Sequence, residues 1–227
     1  MPEDNKIPWI EAIHEVQEEV SKFANPYYGG PYRREEINYW ECILEWLYQD
    51  REERKIGSCL DIGCAYGTLA VFCREFYQCD VYCTDFMSHL LSAPLADKHG
   101  LKFRVNNIEL DPFPWDQKFD TIIFTEILEH LNFHPLPTLR KIKGLLGAKG
   151  RLYLSTPDAK YYGKVTKYYQ RLADMPQPQK GLPIVDAHVY VYPENELLDL
   201  LGEAGFTVEK FQYTPAHHFN LMLSGRE

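Results

Sequence analysis

The sequence predicts an α/β fold, with seven strands in a mostly parallel sheet, helices on both faces and an N-terminal helical lid. Three observations predict it. A short apolar run at residues 58–62 leads straight into a glycine turn and then a helical stretch at 68–76. Residues 119–124, Phe-Asp-Thr-Ile-Ile-Phe, are nearly continuous apolar sequence, as a strand buried on both faces requires. The chain closes on a helix at 193–204, stopped by Gly205, and two strands at 206–213 and 219–223.

Bulk properties set the limits. At 227 residues and 45% hydrophobic, the chain suffices for one α/β domain with a lid. We divide it into a helical extension, 1–55, and a cofactor-binding domain, 56–227, with a substrate-cap insertion at about 159–187. The net charge of −9 makes it a poor general binder of polyanions, which weighs against nucleic acid. Residues 1–6 do not form a secretory signal, and no run reaches the roughly 18 apolar residues of a membrane span. The expectation is a cytoplasmic protein, acting alone or as a homodimer. No pair among Cys42, Cys59, Cys64, Cys73, Cys79 and Cys83 has C-x-x-C spacing, so they read as small buried apolar residues rather than metal ligands or disulfides.

Each element follows in order. Ile7, Ile10, Ile13, Val16, Val20 and Phe23 recur at spacings of three and four, the mark of one apolar helical face. A second helix at about 34–49 turns Ile37, Trp40, Ile43, Leu44 and Leu47 inward. Between them lies a glycine- and proline-rich turn loaded with tyrosine, residues 25–32. Either these helices only cover the sheet, or the loop closes over a substrate and sets Tyr28 and Tyr32 against it.

The strand at 58–62 carries Asp61, and Gly63 and Gly67 shape the turn after it. Glycine fits where a backbone turns sharply or approaches a ligand, and a turn that opens a helix offers free N–H groups. No G-x-G-x-x-G is present, which excludes the dinucleotide fingerprint. A second strand, 80–84, ends at Asp85, which follows Gly67 by 18 positions. An acid there can accept both hydroxyls of a ribose. A helix at 86–98, a third strand at 101–105, the turn Asn106-Asn107-Ile108-Glu109, an aromatic turn at 111–115 and the fourth strand at 118–125 complete the first half.

The pattern from Asp61 to Gly67 resembles motif I of the class I S-adenosylmethionine (SAM) methyltransferases, usually D-x-G-x-G-x-G. Ala65 replaces the middle glycine, which alanine permits only where φ is not forced positive. The resemblance covers residues 57–223 and implies a Rossmann-like sheet and a SAM-dependent enzyme. It implies cofactor contacts from Asp61, Gly63, Cys64, Ala65, Gly67, Asp85, Phe86 and Thr125. It adds Asn107 beside the adenine amino group, with Ile108 packed on the ring, although an Asn pair is also ordinary turn chemistry.

Directly after the fourth strand come Glu126, Glu129 and His130, at i, i+3 and i+4, where one helical turn puts all three on one face. Two carboxylates and an imidazole can hold Mg²⁺ or another divalent metal. They can equally work without metal, with His130 as general base for a substrate hydroxyl, or serve only as a helix turn. The E-x-x-E-H pattern is similar to that of ubiquinone-pathway O-methyltransferases and of small-RNA 3′-end 2′-O-methyltransferases. The latter add a histidine after the fifth strand, where this chain has His188. His134 reads as a surface residue.

A helix at 136–146, stopped by glycines at 147–150, precedes a fifth strand at 151–155 closed by Thr156-Pro157-Asp158. The insertion then places Tyr161, Tyr162, Tyr168 and Tyr169 on a short helix with Lys160, Lys164, Lys167 and Arg171, before a proline-rich loop at 175–183. Tyrosines suit an aromatic or sugar substrate, lysines a phosphate or carboxylate. A solvated helix on the sheet edge is the plainer alternative. The expected function is O-methylation of a small-molecule acceptor. RNA 2′-O-methylation, N-methylation and a non-catalytic SAM-binding partner protein remain the alternatives.

Overall fold

The computed structural model describes residues 8–162 and 168–226. Residues 1–6, Ile7, Lys164 and Lys167, on which the sequence reading also drew, lie outside the described residues. Helix α1 (Pro8–Ser21) buries Ile13, Val16 and Val20. A tight π-type turn, Tyr28–Tyr32, leads into α2 (Arg33–Glu53), which bends at Trp40 (φ −133°, ψ 29°). Then come β1 (Ser58–Ile62), α3 (Thr68–Tyr77), β2 (Asp80–Asp85), α4 (Ala93–His99), β3 (Lys102–Val105) and β4 (Phe119–Thr125). The second half holds α5 (Pro135–Leu145), β5 (Leu146–Pro157), α6 (Ala159–Tyr162), α7 (Glu194–Glu203), β6 (Phe206–Tyr213) and β7 (His218–Gly225).

The seven strands form one sheet in the order β3-β2-β1-β4-β5-β7-β6. The first five positions are parallel, and β7 runs antiparallel to both β5 and β6. The period-two alternation of the strands divides the sheet's side chains between two cores. Cys59, Val81, Cys83, Ile123, Tyr153 and Met222 pack with α1, α2 and α3. Leu60, Ile62, Ile122, Phe124, Leu152 and Leu154 pack with α5 and α7. Each fully buried aliphatic or aromatic side chain contributes about 1.5–3 kcal/mol. All six cysteines are free thiols, five of them buried in or beside the first core.

A buried ionic cluster fastens α2 to the sheet. Asp50, 1% exposed, accepts from Arg54 Nε at 2.7 Å and is also bonded by Arg151 and the Tyr153 hydroxyl. Arg54 in turn donates to the Asp120 carbonyl and the Thr121 hydroxyl.

The structure departs from the sequence reading in four places. The helix expected from residue 86 begins only at Ala93, because Pro94 suits a first helical turn and residues 86–92 instead fold back over the glycine turn. Strand β5 begins at Leu146, so the glycines at 147–150 are strand residues, not a helix stop. They run against the Phe119 carbonyl, beside an irregularity in the β4 pairing, and a side chain at Gly150 would come within 2.7 Å of that oxygen. In the insertion, α6 ends at Tyr162, and Tyr168 and Tyr169 are not helical. The turn after β4 is 3₁₀ over Leu128–His130, not α-helical from residue 126.

Candidate active site

The parallel strands diverge to opposite sides after β1 and β4, and the crevice at their carboxyl ends is where ligands bind in open α/β sheets. A cavity of about 730 Å³ opens there. Gly63 (φ 74°) and Gly67 (φ 85°) make its floor turn possible. A Cβ on Gly63 would lie 2.1 Å from Ile127 Cδ1, and one on Gly67 2.7 Å from Leu91 Cδ1. Ala65 adopts φ 44°, against the expectation that alanine would avoid positive φ. Its N–H donates to Asp85 Oδ2 at 3.0 Å, and the Met87 N–H donates to Oδ1 at 2.8 Å. The carboxylate at the end of β2 therefore holds the strained turn in place, with lone pairs left facing the cavity. Burial raises the Asp85 carboxyl above its usual range, and burial with Asp85 alongside pushes Asp61 up to about 7.

Cys64, Phe86, Asn107, Ile108 and Thr125 also line the cavity. The Asn107 side-chain Oδ1 is committed to the turn, accepting from the Glu109 and Leu110 N–H groups at 2.9 and 3.2 Å. The Asx turn follows from the local run Asn107-Ile108-Glu109-Leu110 and leaves only the amide nitrogen for a ligand.

Glu126 sits at φ 56°, a strained position for a non-glycine residue and common at functional sites. That backbone turns its carboxylate toward β5 and β7. Oε1 accepts from Ser155 Oγ at 2.7 Å, and Oε2 lies 3.1 Å from His218 Nε2. Glu129, fully buried, accepts from Thr156 Oγ1 through Oε2 at 2.9 Å, while its Oε1 has no hydrogen-bond partner. The Glu129 carbonyl receives the Val189 and Tyr190 N–H groups, which draws His188 into place. The His130 and His188 rings meet edge to face at 4.8 Å. His130 Nδ1 is 3.2 Å from Asp186 Oδ1, close enough for an ion pair but poorly aligned for a hydrogen bond. Burial pushes the Glu126 and Glu129 carboxyls up to about 8, with Glu126 adding to the rise at Glu129. Burial and the nearby His218 lower the His188 imidazole.

The predicted four-ligand cluster is thus reduced to three. Ligand atoms of Glu129, His130 and His188 lie within 4.8 Å of one another, and the orphaned Glu129 oxygen suits a cation or a proton donor. Glu126 stands beside Glu129, but its oxygens are taken up by Ser155 and His218. Of the predicted substrate contacts, Tyr32 and His188 line the cavity. Tyr28 does not: it is fully buried, with its hydroxyl 2.9 Å from both Glu36 Oε1 and Thr68 Oγ1. Tyr161 is also outside it, exposed and stacked at 3.8 Å on His217.

The sequence reading missed Glu36, Tyr39, Asp186 and His218. Glu36 is a buried carboxyl on α2, pushed up to about 7 by burial, and it ties Gln17, Tyr28 and Thr68 together beside the glycine turn. Its i−1 and i+4 neighbours, Glu35 and Trp40, gave no local signal that this helix face meets a cavity.

Comparison with known proteins agrees with this geometry. A family model described as a methyltransferase domain matches residues 15–210. No curated protein matches by sequence. A SAM-dependent methyltransferase from Clostridium acetobutylicum ATCC 824 is 12% identical with a TM-score of 0.62, covering 84% of this chain and 92% of that one. The magnesium protoporphyrin IX methyltransferase from Synechocystis PCC 6803, solved with bound SAH, is 17% identical with a TM-score of 0.55, over 99% and 90%. An O-methyltransferase family 2 protein from Planctomyces limnophilus DSM 3776, complexed with apigenin, is 16% identical with a TM-score of 0.52, over 74% and 50%. At such identities these structures attest the fold, and the family model carries the assignment: the chain belongs to the methyltransferase-domain family, as a class I SAM-dependent methyltransferase.

Proposed function

We propose that the protein methylates an oxygen of a small-molecule acceptor, an aromatic or sugar hydroxyl. One observation carries the reading: a single cavity joins the glycine turn and Asp85 at one end to Glu129, His130 and His188 at the other. SAM supplies the methyl as an electrophile on its sulfonium. Asp85 has lone pairs for ribose hydroxyls, while the Gly63, Cys64, Ala65 and Gly67 N–H groups of the turn are engaged within the protein. His130 receives the proton leaving the acceptor hydroxyl at a ring nitrogen, with the buried Glu129 carboxyl beside it. Fold neighbours solved with SAH and with apigenin are in keeping with this chemistry.

The convergence of Glu129, His130 and His188 favours one variant of the reading, in which these three residues hold a divalent metal that lowers the acceptor's proton affinity. The six free thiols fit a reducing, cytoplasmic setting. Among the described residues no helix is long and apolar enough to cross a membrane.

Calorimetric titration with SAM, S-adenosylhomocysteine and a nicotinamide dinucleotide is the direct test. Saturable binding of the first two alone supports the reading. Binding of the dinucleotide instead would end it. Titration with Mg²⁺ and Mn²⁺ before and after His188→Ala separates the metal variant from the metal-free one.

A further inference from the structure

The acceptor end of the cavity has a consistent electrostatic character. Apart from the buried carboxyls Glu36, Glu126 and Glu129, the acidic residues lining it beyond the cofactor turn are Glu35 on α2 and Asp186 two positions before His188. Among the described residues no lysine or arginine lines the cavity. The cations expected to meet an anionic substrate are elsewhere. Lys160 lies over the Tyr161 ring at 5.6 Å, away from the cavity, and Arg171 is solvent-exposed and paired with Asp174 at 3.1 Å. The aromatic residues Tyr27, Tyr32, Tyr39 and Trp40 line the same cavity. The Tyr39 hydroxyl donates to Glu35 Oε2 at 2.9 Å, which fixes that carboxylate against the Tyr39 ring. Fully buried Glu129, which also lines the cavity, keeps its Oε1 without a hydrogen-bond partner.

Resting on the methyltransferase reading above, we propose that the acceptor is a hydroxyl compound carrying a protonated amine and an aromatic or apolar flank. An ammonium bound between Tyr32, Tyr39 and Glu35 gains both cation–π attraction and a charge-assisted hydrogen bond. A carboxylate or phosphate in the same place meets the Glu35 carboxylate and, among the described residues, no lysine or arginine. The same feature disfavours a nucleic-acid strand, whose backbone would have to lie along these carboxylates.

The test uses the full chain saturated with S-adenosylhomocysteine and three phenols of matched shape. These are tyramine, its neutral analogue para-ethylphenol and its carboxylate analogue para-hydroxyphenylpropionate, each titrated by calorimetry. Tyramine is expected to bind at least about tenfold more tightly than the neutral phenol, and the carboxylate not to saturate. Glu35→Gln should remove about tenfold of the tyramine affinity and leave para-ethylphenol binding within about twofold. Equal loss for both compounds would mark Glu35 as structural and overturn the ammonium site. Preference for the carboxylate, or no millimolar binding of tyramine, overturns the proposal too. Failure to bind S-adenosylhomocysteine at the outset would instead remove the methyltransferase reading beneath it.

Discussion

Asp85 has two duties that the geometry makes inseparable. Its oxygens fasten the Ala65 and Met87 N–H groups, and its remaining lone pairs face the cavity. Alanine at φ 44° is disfavoured by about 1–2 kcal/mol, and the bond to Asp85 is what offsets it. Asp85→Ala should therefore weaken S-adenosylhomocysteine binding by about 1–3 kcal/mol, measured by calorimetry. Unchanged affinity would refute the ribose assignment. His130 presents the opposite case. It is half-buried at the far end of the cavity, so His130→Ala should abolish turnover and spare cofactor affinity. Full residual activity would take it out of the mechanism. Asp85 was legible in the sequence because strand, turn and acid lie within one local unit. His218 was not, since it reaches Glu126 only through the antiparallel pairing of β7 with β5, where it sits opposite Pro157.

Among the elements, α2 is the one whose placement matters most to the cavity, since it brings Glu35, Glu36, Tyr39 and Trp40 to the wall. Polar contacts near both ends help to hold it. Glu36 bonds to Thr68 at the start of α3, and Asp50 engages Arg54, Arg151 and Tyr153 at the other end. Removing one member of a buried ionic cluster leaves the others desolvated and unpaired. Asp50→Ala is expected to cost on the order of 3 kcal/mol and to lower the melting temperature by about 6–12 °C in a thermal-denaturation scan. A change within about 1 °C would show that α2 is held by apolar packing alone. The helix itself was readable from its periodicity. Its ties were not, because Arg151 lies 101 positions from Asp50 and no local pattern links them.

For the whole molecule, the buried acids dictate the pH response. Burial raises Glu36 and Asp61 to about 7 and Glu126 and Glu129 to about 8. The folded chain then binds protons that the unfolded chain has released above about pH 4.5. Stability from these groups is fully present below that pH and is lost as pH rises through 7 and 8. The melting temperature of the ligand-free protein should accordingly fall between about pH 5 and pH 8.5, and Glu129→Gln should flatten that slope. A melting temperature that rises over this window would contradict the assignment of protonated buried carboxyls. By itself the sequence determined the α/β class, the strand succession, the glycine turn and the acid at the end of β2. Those features depend on periodicity and on contacts between near neighbours in the chain. Only the tertiary structure decided that Tyr28 is buried, that Ser155 and His218 take up the Glu126 oxygens, and that α2 supplies an acidic and aromatic wall. Each of these depends on a backbone angle or a pairing between distant segments, which packing selects and local propensity does not encode.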